Sequence, residues 1–290
     1  MDTPEPEIIA INYPQNDTPI VAKFAYPDVK SLVRLFFVLV FYMLVVGFFT
    51  GIVLLATQGL KSPLLKSIIF FMQYVVVMSF VINYGVKKTN KVYPEAFNFS
   101  FNKIHAWLIP VIIISTLALV VGLEGISNIL SMPVSVAKYF ESIFKKDFFS
   151  VVTIVIAAPI MEEIICRGIV LKGLLKNYPP QKAIVISAFF FGLIHLNPWQ
   201  ALPAFFGGLF LGWIFYKTQS VIAGMITHAT INGTSMLFFF FLPRLKHGFL
   251  NALGLPYYIV LCIVAVLVFV GGCVVIERKV KSISNERNKG

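Results

Sequence analysis

Long apolar runs broken by short charged segments decide what this chain can fold into. Eight such runs occur, at about 33–56, 64–86, 106–123, 149–171, 183–197, 200–216, 220–242 and 257–276. Each exceeds or approaches the roughly 18 residues that cross a hydrocarbon core about 30 Å thick. Lipid offers the backbone no hydrogen-bond partner, so each run must satisfy its own N–H and C=O groups as a helix. Composition agrees, since 58% of residues are hydrophobic and only 13% charged, too few charges to coat a soluble domain of this size. The expected fold is all-α, a polytopic transmembrane helical bundle of about eight helices. Runs five and six are short and separated by Asn197-Pro198, which leaves two short helices or a re-entrant pair open.

Residues 1–30 are polar and proline-containing and read as an N-terminal tail, residues 31–280 as the transmembrane domain, and residues 281–290 as a basic C-terminal tail. The start lacks a basic segment followed at once by a short apolar core, so the first run is an uncleaved anchor. With eight spans, Lys87, Lys88, Lys91 and Lys103 share a side with Lys172, Lys176, Lys182, Arg278 and Lys279, and fewer cations, among them Lys66, Lys138 and Lys146, face the other side. Cytoplasmic loops carry the excess of Lys and Arg, which puts both termini in the cytoplasm and the chain in the cell (inner) membrane. The net charge of +11 then reflects attraction to an anionic leaflet. Nucleic acid is not a partner on this reading, because no basic stripe interleaves with exposed aromatics in a soluble module. Cys166, Cys262 and Cys273 sit in apolar runs without CxxC spacing; they read as small buried hydrophobes rather than a disulfide framework.

Ionisable groups inside a span are costly and therefore mark function. The fourth run holds three of them, Glu162, Glu163 and Arg167, just after Pro159. Unpaired, the three would cost about 7–10 kcal/mol. Glu163 and Arg167 are four apart and share a helix face, so they can pair, with the guanidinium holding the carboxylate. Glu162 is turned about 100° away, free for chemistry. Pro159 removes a backbone bond to the residue four before it and favours a kink there. The bland alternative is an ion pair between helices with a spare Glu reaching for the interface.

Two further runs carry matching polar groups. Phe191 and His195 sit four apart near the end of run five, and His228 and Asn232 four apart in run seven. His105 and His247 lie at span edges and read as ordinary interface residues. A carboxylate in a low-dielectric pocket is a competent general base for water. One imidazole can hold the water, and a second imidazole with an amide can donate to a developing oxyanion. Equally, Glu162, His195 and His228 could bind Zn2+ with an open position for water; a metal-free site and a zinc site both remain open.

These same three segments resemble those of a known family. Glu162-Glu163-Ile-Ile-Cys-Arg167, Phe191-Gly-Leu-Ile-His195 and His228-Ala-Thr-Ile-Asn232 resemble the EExxxR, FxxxH and HxxxN motifs of the CAAX-protease and bacteriocin-processing (CPBP, or Abi) intramembrane proteases. The motifs occur in the family's order, within about residues 145–242. The resemblance implies an endopeptidase acting within or near the membrane on a membrane-associated peptide or protein, prenylated in the CAAX-trimming branch. It implies Glu162 as the base for water and His195 as its partner, with His228 and Asn232 positioning the water or stabilising the oxyanion. Glu163, Arg167 and Phe191 would support them. The family is described both as metalloprotease and as glutamate-dependent. Two other classes compete: a non-catalytic scaffold or bacteriocin-immunity protein, and a proton- or ion-coupled transporter, though the chain lacks the internal repeats transporters favour.

Overall fold

The computed structural model describes residues 25–287 apart from 61, 93–96, 128–129, 131, 144–145 and 243–247. Most of the N-terminal tail, His247 and the last three residues of the basic tail lie outside the described residues. Among the described residues the regular elements are all helical, and each of the eight apolar runs is a helix. α1 spans Val29–Ala56, α2 Pro63–Val92, α3 Leu108–Ser127 and α4 Val134–Ile143. α5 is a continuous helical stretch over Phe148–Asn177. α6 follows at Pro180–Leu193, α7 at Pro198–Thr218, α8 at Val221–Phe241, α9 at Phe249–Leu253 and α10 at Leu255–Arg287. The short helices α4 and α9 were not legible as apolar runs. By length and apolar composition α1, α2, α3, α5 and α10 can each cross a membrane. The remaining three runs, α6 to α8, form helices that are shorter or more polar, and two of them carry the histidine motifs. Five of the eight runs thus meet a length-and-composition test for crossing among the described residues.

Local chemistry sets the helix starts. Asp28 caps α1 by accepting from the Ser31 N–H at 2.8 Å, so the helix begins at Val29, two residues before the sequence boundary of the tail. Ala25 just ahead of it is held by the Asn177 side chain, which accepts from its N–H and donates to its carbonyl, both at 2.8 Å. This end of the tail is therefore packed onto α5. Asn197 caps α7 by accepting from the Gln200 N–H at 2.9 Å, with Pro198 in the first turn where its missing N–H costs nothing. The Asn197-Pro198 break thus yields two separate helices joined by a tight turn.

Asp147 caps α5, accepting from the Ser150 N–H at 3.1 Å, the Ser150 hydroxyl at 2.7 Å and the Ser67 hydroxyl of α2 at 3.0 Å. Partial burial pushes its carboxyl up, but these hydrogen bonds outweigh it and hold the group below the usual carboxylate value. A depressed folded-state value stabilises the fold above the ordinary carboxylate range and ceases to do so as pH falls through it. Asp147→Ala should therefore lower the unfolding midpoint at neutral pH, by about 1 kcal/mol of cap energy. The difference from wild type should shrink as pH falls into and below the ordinary carboxylate range.

The core is built around α5. Ile165, Cys166, Val170, Leu171 and Leu174 are buried against Leu35 and Leu39 of α1, Val81 of α2, Phe190 and Phe191 of α6 and Leu211 and Phe215 of α7. A second cluster joins Ile112 of α3, Ile214 of α7, Ala223 of α8 and Ile276 of α10. α6 and α7 cross closely because both are small at the crossing: a Cβ on Gly208 would stand 3.2 Å from the Ala188 backbone, and small residues let helices approach in lipid. Outward faces of α1 and α10 present Phe37, Leu44, Phe48, Val260 and Leu267, an apolar coat suited to acyl chains. All three cysteines are free. Cys166 is buried as expected, whereas Cys262 and Cys273 are only half-buried.

Candidate active site

α5 is not a uniform α-helix. Two stretches, Thr153–Ala157 and Ile164–Leu171, widen to the π register, in which N–H groups reach back five residues instead of four. The Ala158 N–H accordingly bonds to the Thr153 carbonyl, and the Lys172 N–H to the Arg167 carbonyl. Such bulges concentrate at functional sites. Here they bracket the carboxylate pair, Glu162 and Glu163, on the α-helical segment Ala158–Glu163. The expected proline kink at Pro159 takes the form of this wide turn just before it.

The two carboxylates have unequal surroundings, as their spacing requires. Glu163 and Arg167 are fully buried and joined by a 2.7 Å bond from Nη1 to Oε1. Arg167 also donates from Nη2 to the Gly208 carbonyl of α7 at 3.1 Å, and its guanidinium lies 4.7 Å over the Phe191 ring. Gly224 of α8 makes room for the carboxylate: a Cβ there would stand 2.5 Å from Glu163 Oε2. Glu162, with 12% of its side chain exposed, points elsewhere. It accepts a 2.8 Å hydrogen bond on Oε1 from the Tyr74 hydroxyl of α2.

His228 stands between the two. Its Nδ1 is 3.1 Å from Glu163 Oε1, and its Nε2 is 3.9 Å from Glu162 Oε2. A carboxylate only accepts, so Nδ1 carries the proton and the ring is oriented with Nε2 toward Glu162. Glu163 therefore braces both Arg167 and His228, a coupling that helix spacing alone did not reveal.

His195 lies just past the end of α6, in the turn to α7. Its Nδ1 is 2.8 Å from the Phe191 carbonyl, which fixes Nδ1 as donor and leaves Nε2 as the acceptor. Phe191 is shared by both imidazoles, meeting His195 at 5.2 Å and His228 at 5.4 Å between centroids, edge-on each time. Asn232 is further along α8 and donates from Nδ2 to the Ile154 carbonyl at 2.8 Å. Among the described residues no hydrogen bond joins His195 or Asn232 to either carboxylate. His105 is exposed at the start of α3, in keeping with an interface residue.

Sequence reasoning missed Tyr74. Its only signal was a phenol in the middle of a long apolar helix, where a buried O–H needs a partner, and that partner is 88 positions away. The donor types alone are compatible with a zinc site. Among the described residues, however, no three His, Cys, Asp or Glu side chains converge closely enough to hold a metal ion. No step below runs through a metal.

Fold and site together define a helical integral membrane protein with a carboxylate–imidazole site recessed among its helices. Residues 144–234 match the family described as type II CAAX prenyl endopeptidase Rce1-like. The match takes in Glu162, Glu163, Arg167, Phe191, His195, His228 and Asn232, and it is confined to that segment of the chain. Tyr74 lies outside the matched segment. No curated protein and no solved structure matches the chain.

Proposed function

We propose that this protein is an intramembrane endopeptidase in which Glu162 activates water for attack on a peptide bond. One observation carries the reading: Glu163 is neutralised by Arg167 and oriented on His228, whereas Glu162 receives only a phenol and keeps an exposed edge. Of two adjacent carboxylates, one braces and the other is left basic.

The chemistry follows from the geometry. Tyr74 occupies Oε1 of Glu162, so Oε2 takes the proton from water. The 3.9 Å between Oε2 and His228 Nε2 is too long for a direct hydrogen bond and suits a nucleophile bonded to both groups. The hydroxide adds to the scissile carbonyl carbon, the carbonyl oxygen becomes an oxyanion, and the C–N bond breaks as the nitrogen takes the proton held by Glu162. His195, with Nε2 unprotonated, assists proton movement from the side of α6. That helix, 14 residues long, rises about 21 Å at 1.5 Å per residue, short of a full crossing. On this reading the turn bearing His195 lies at membrane depth, where a peptide emerging from lipid can meet it.

The substrate class offered by the family match is a prenylated CAAX peptide, and both termini are assigned to the cytoplasmic side on the distribution of Lys and Arg. Proteoliposomes holding the wild-type chain should cleave a farnesylated CAAX peptide, and proteoliposomes holding Glu162→Gln should not. Equal cleavage by both would sink the reading; cleavage of an unprenylated membrane peptide alone would keep the peptidase and discard the prenyl substrate. Adding a chelator during the same assay tests metal dependence directly.

Tyr74 should act on turnover rather than binding. A hydrogen bond to a charged group contributes about 1.5–3 kcal/mol, so Tyr74→Phe should lower kcat roughly tenfold or more with KM little changed. An unchanged kcat would remove Tyr74 from the site.

A further inference from the structure

Pro159 removes one backbone N–H from α5. In a regular α-helix the carbonyl in line for it would be that of Val155, four residues back. Here the turn before Pro159 is wide: the Ala158 N–H passes over Ile154 and bonds to Thr153. In this register the next nitrogen in line for the Ile154 carbonyl is that of Pro159, which has no hydrogen. A backbone carbonyl deprived of its N–H inside a membrane bundle needs another donor. The Asn232 amide supplies it, at 2.8 Å from helix α8.

We propose that Asn232 is a positioning residue whose amide stands in for the N–H that Pro159 lacks, locking the wide turn that aims Glu162. The turn Thr153–Ala157 ends two residues before Pro159 and five before Glu162, little more than one helical turn. Closing it to the α register would rotate everything that follows by about 100° relative to what precedes it. The direction of Glu162 toward Tyr74 and His228 therefore depends on the register being held at Ile154. Asn232 holds it from the helix that also carries His228, so one element fixes both the base and its imidazole. This differs from direct donation to an oxyanion, where Asn232 would touch the reacting atoms and Pro159 would be irrelevant. The inference rests on the peptidase reading only for its kinetic readout.

Coupling between the two residues decides it. Asn232→Leu, Pro159→Ala and the double variant are compared with wild type in proteoliposomes, for cleavage of the farnesylated peptide and for thermal unfolding. Asn232→Leu should lower kcat at least tenfold with KM within about twofold, and lower the unfolding midpoint by about 2–6 °C. Pro159→Ala restores an N–H to the chain, so in that background the same Asn232 substitution should cost less than threefold in kcat and leave the midpoint in place. An equal penalty in both backgrounds, the result expected of a direct oxyanion donor, would overturn the proposal. If Pro159→Ala does not fold, the single variant still decides, because an unaltered midpoint in Asn232→Leu or Asn232→Ala contradicts a structural brace. If no peptide is cleaved by any protein, the peptidase reading fails while the unfolding comparison continues to judge this one.

Discussion

Glu162→Gln should lower kcat by about 10²–10⁴, the range a positioned general base contributes, with little change in the unfolding midpoint. The amide keeps the size of the carboxylate, and its oxygen can still accept from the Tyr74 hydroxyl, as Glu162 does at 2.8 Å. It cannot take a proton from water. Because the Glu162 side chain is partly exposed and has no buried cation of its own, removing its charge strands nothing. The adjacent carboxylate behaves oppositely. Glu163→Gln keeps an oxygen that can accept from Arg167 and His228 but removes the negative charge that offsets the buried guanidinium. That variant should lose stability first, and activity as a consequence. Measuring cleavage and thermal unfolding together separates the two glutamates: a Glu162→Gln protein that unfolds as Glu163→Gln does would show that the division of roles is wrong.

The pairing of Glu163 with Arg167 was legible in the sequence because it depends only on helix periodicity. Residues four apart share a face and neighbours do not, so the spacing of Glu163 and Arg167 is enough to expect their pairing. The apolar runs were legible for the same kind of local reason, since lipid forces the backbone of each into a helix. What could not be read required knowing which helices meet. Tyr74 looks like any phenol in an apolar run until α2 is set against α5. His228 reads as a second imidazole, and its proton is assigned to Nδ1 only once Glu163 is found beside it. The π register of α5 has no signature in composition; Pro159 announces a missing donor, but not that the Asn232 amide meets the Ile154 carbonyl. The helix α4 was missed because ten residues with polar positions among apolar ones do not register as a membrane run.

Arg167→Met should be the most destabilising single substitution in the site. The side chain is fully buried and serves three partners on three elements: Glu163 on its own helix at 2.7 Å, the Gly208 carbonyl of α7 at 3.1 Å and the Phe191 ring of α6 at 4.7 Å. Methionine fills most of the volume, so the loss is electrostatic rather than a cavity. Glu163 is left as a buried carboxylate facing His228 alone, and breaking a buried pair by removing one member costs about 3–5 kcal/mol. A domain is commonly stable by only about 5–15 kcal/mol, so the variant should accumulate poorly and unfold at markedly lower temperature. Arg167→Lys should recover little, because one ammonium cannot satisfy a carboxylate, a carbonyl and a ring face at once. The decisive comparison adds Glu163→Gln to Arg167→Met. If the damage comes from a stranded charge, the double variant should be more stable than Arg167→Met alone, because the buried carboxylate is gone. If the double variant is instead worse by the sum of the two single losses, the pair does not act as a unit, and Glu162 and His228 do not depend on it as a brace.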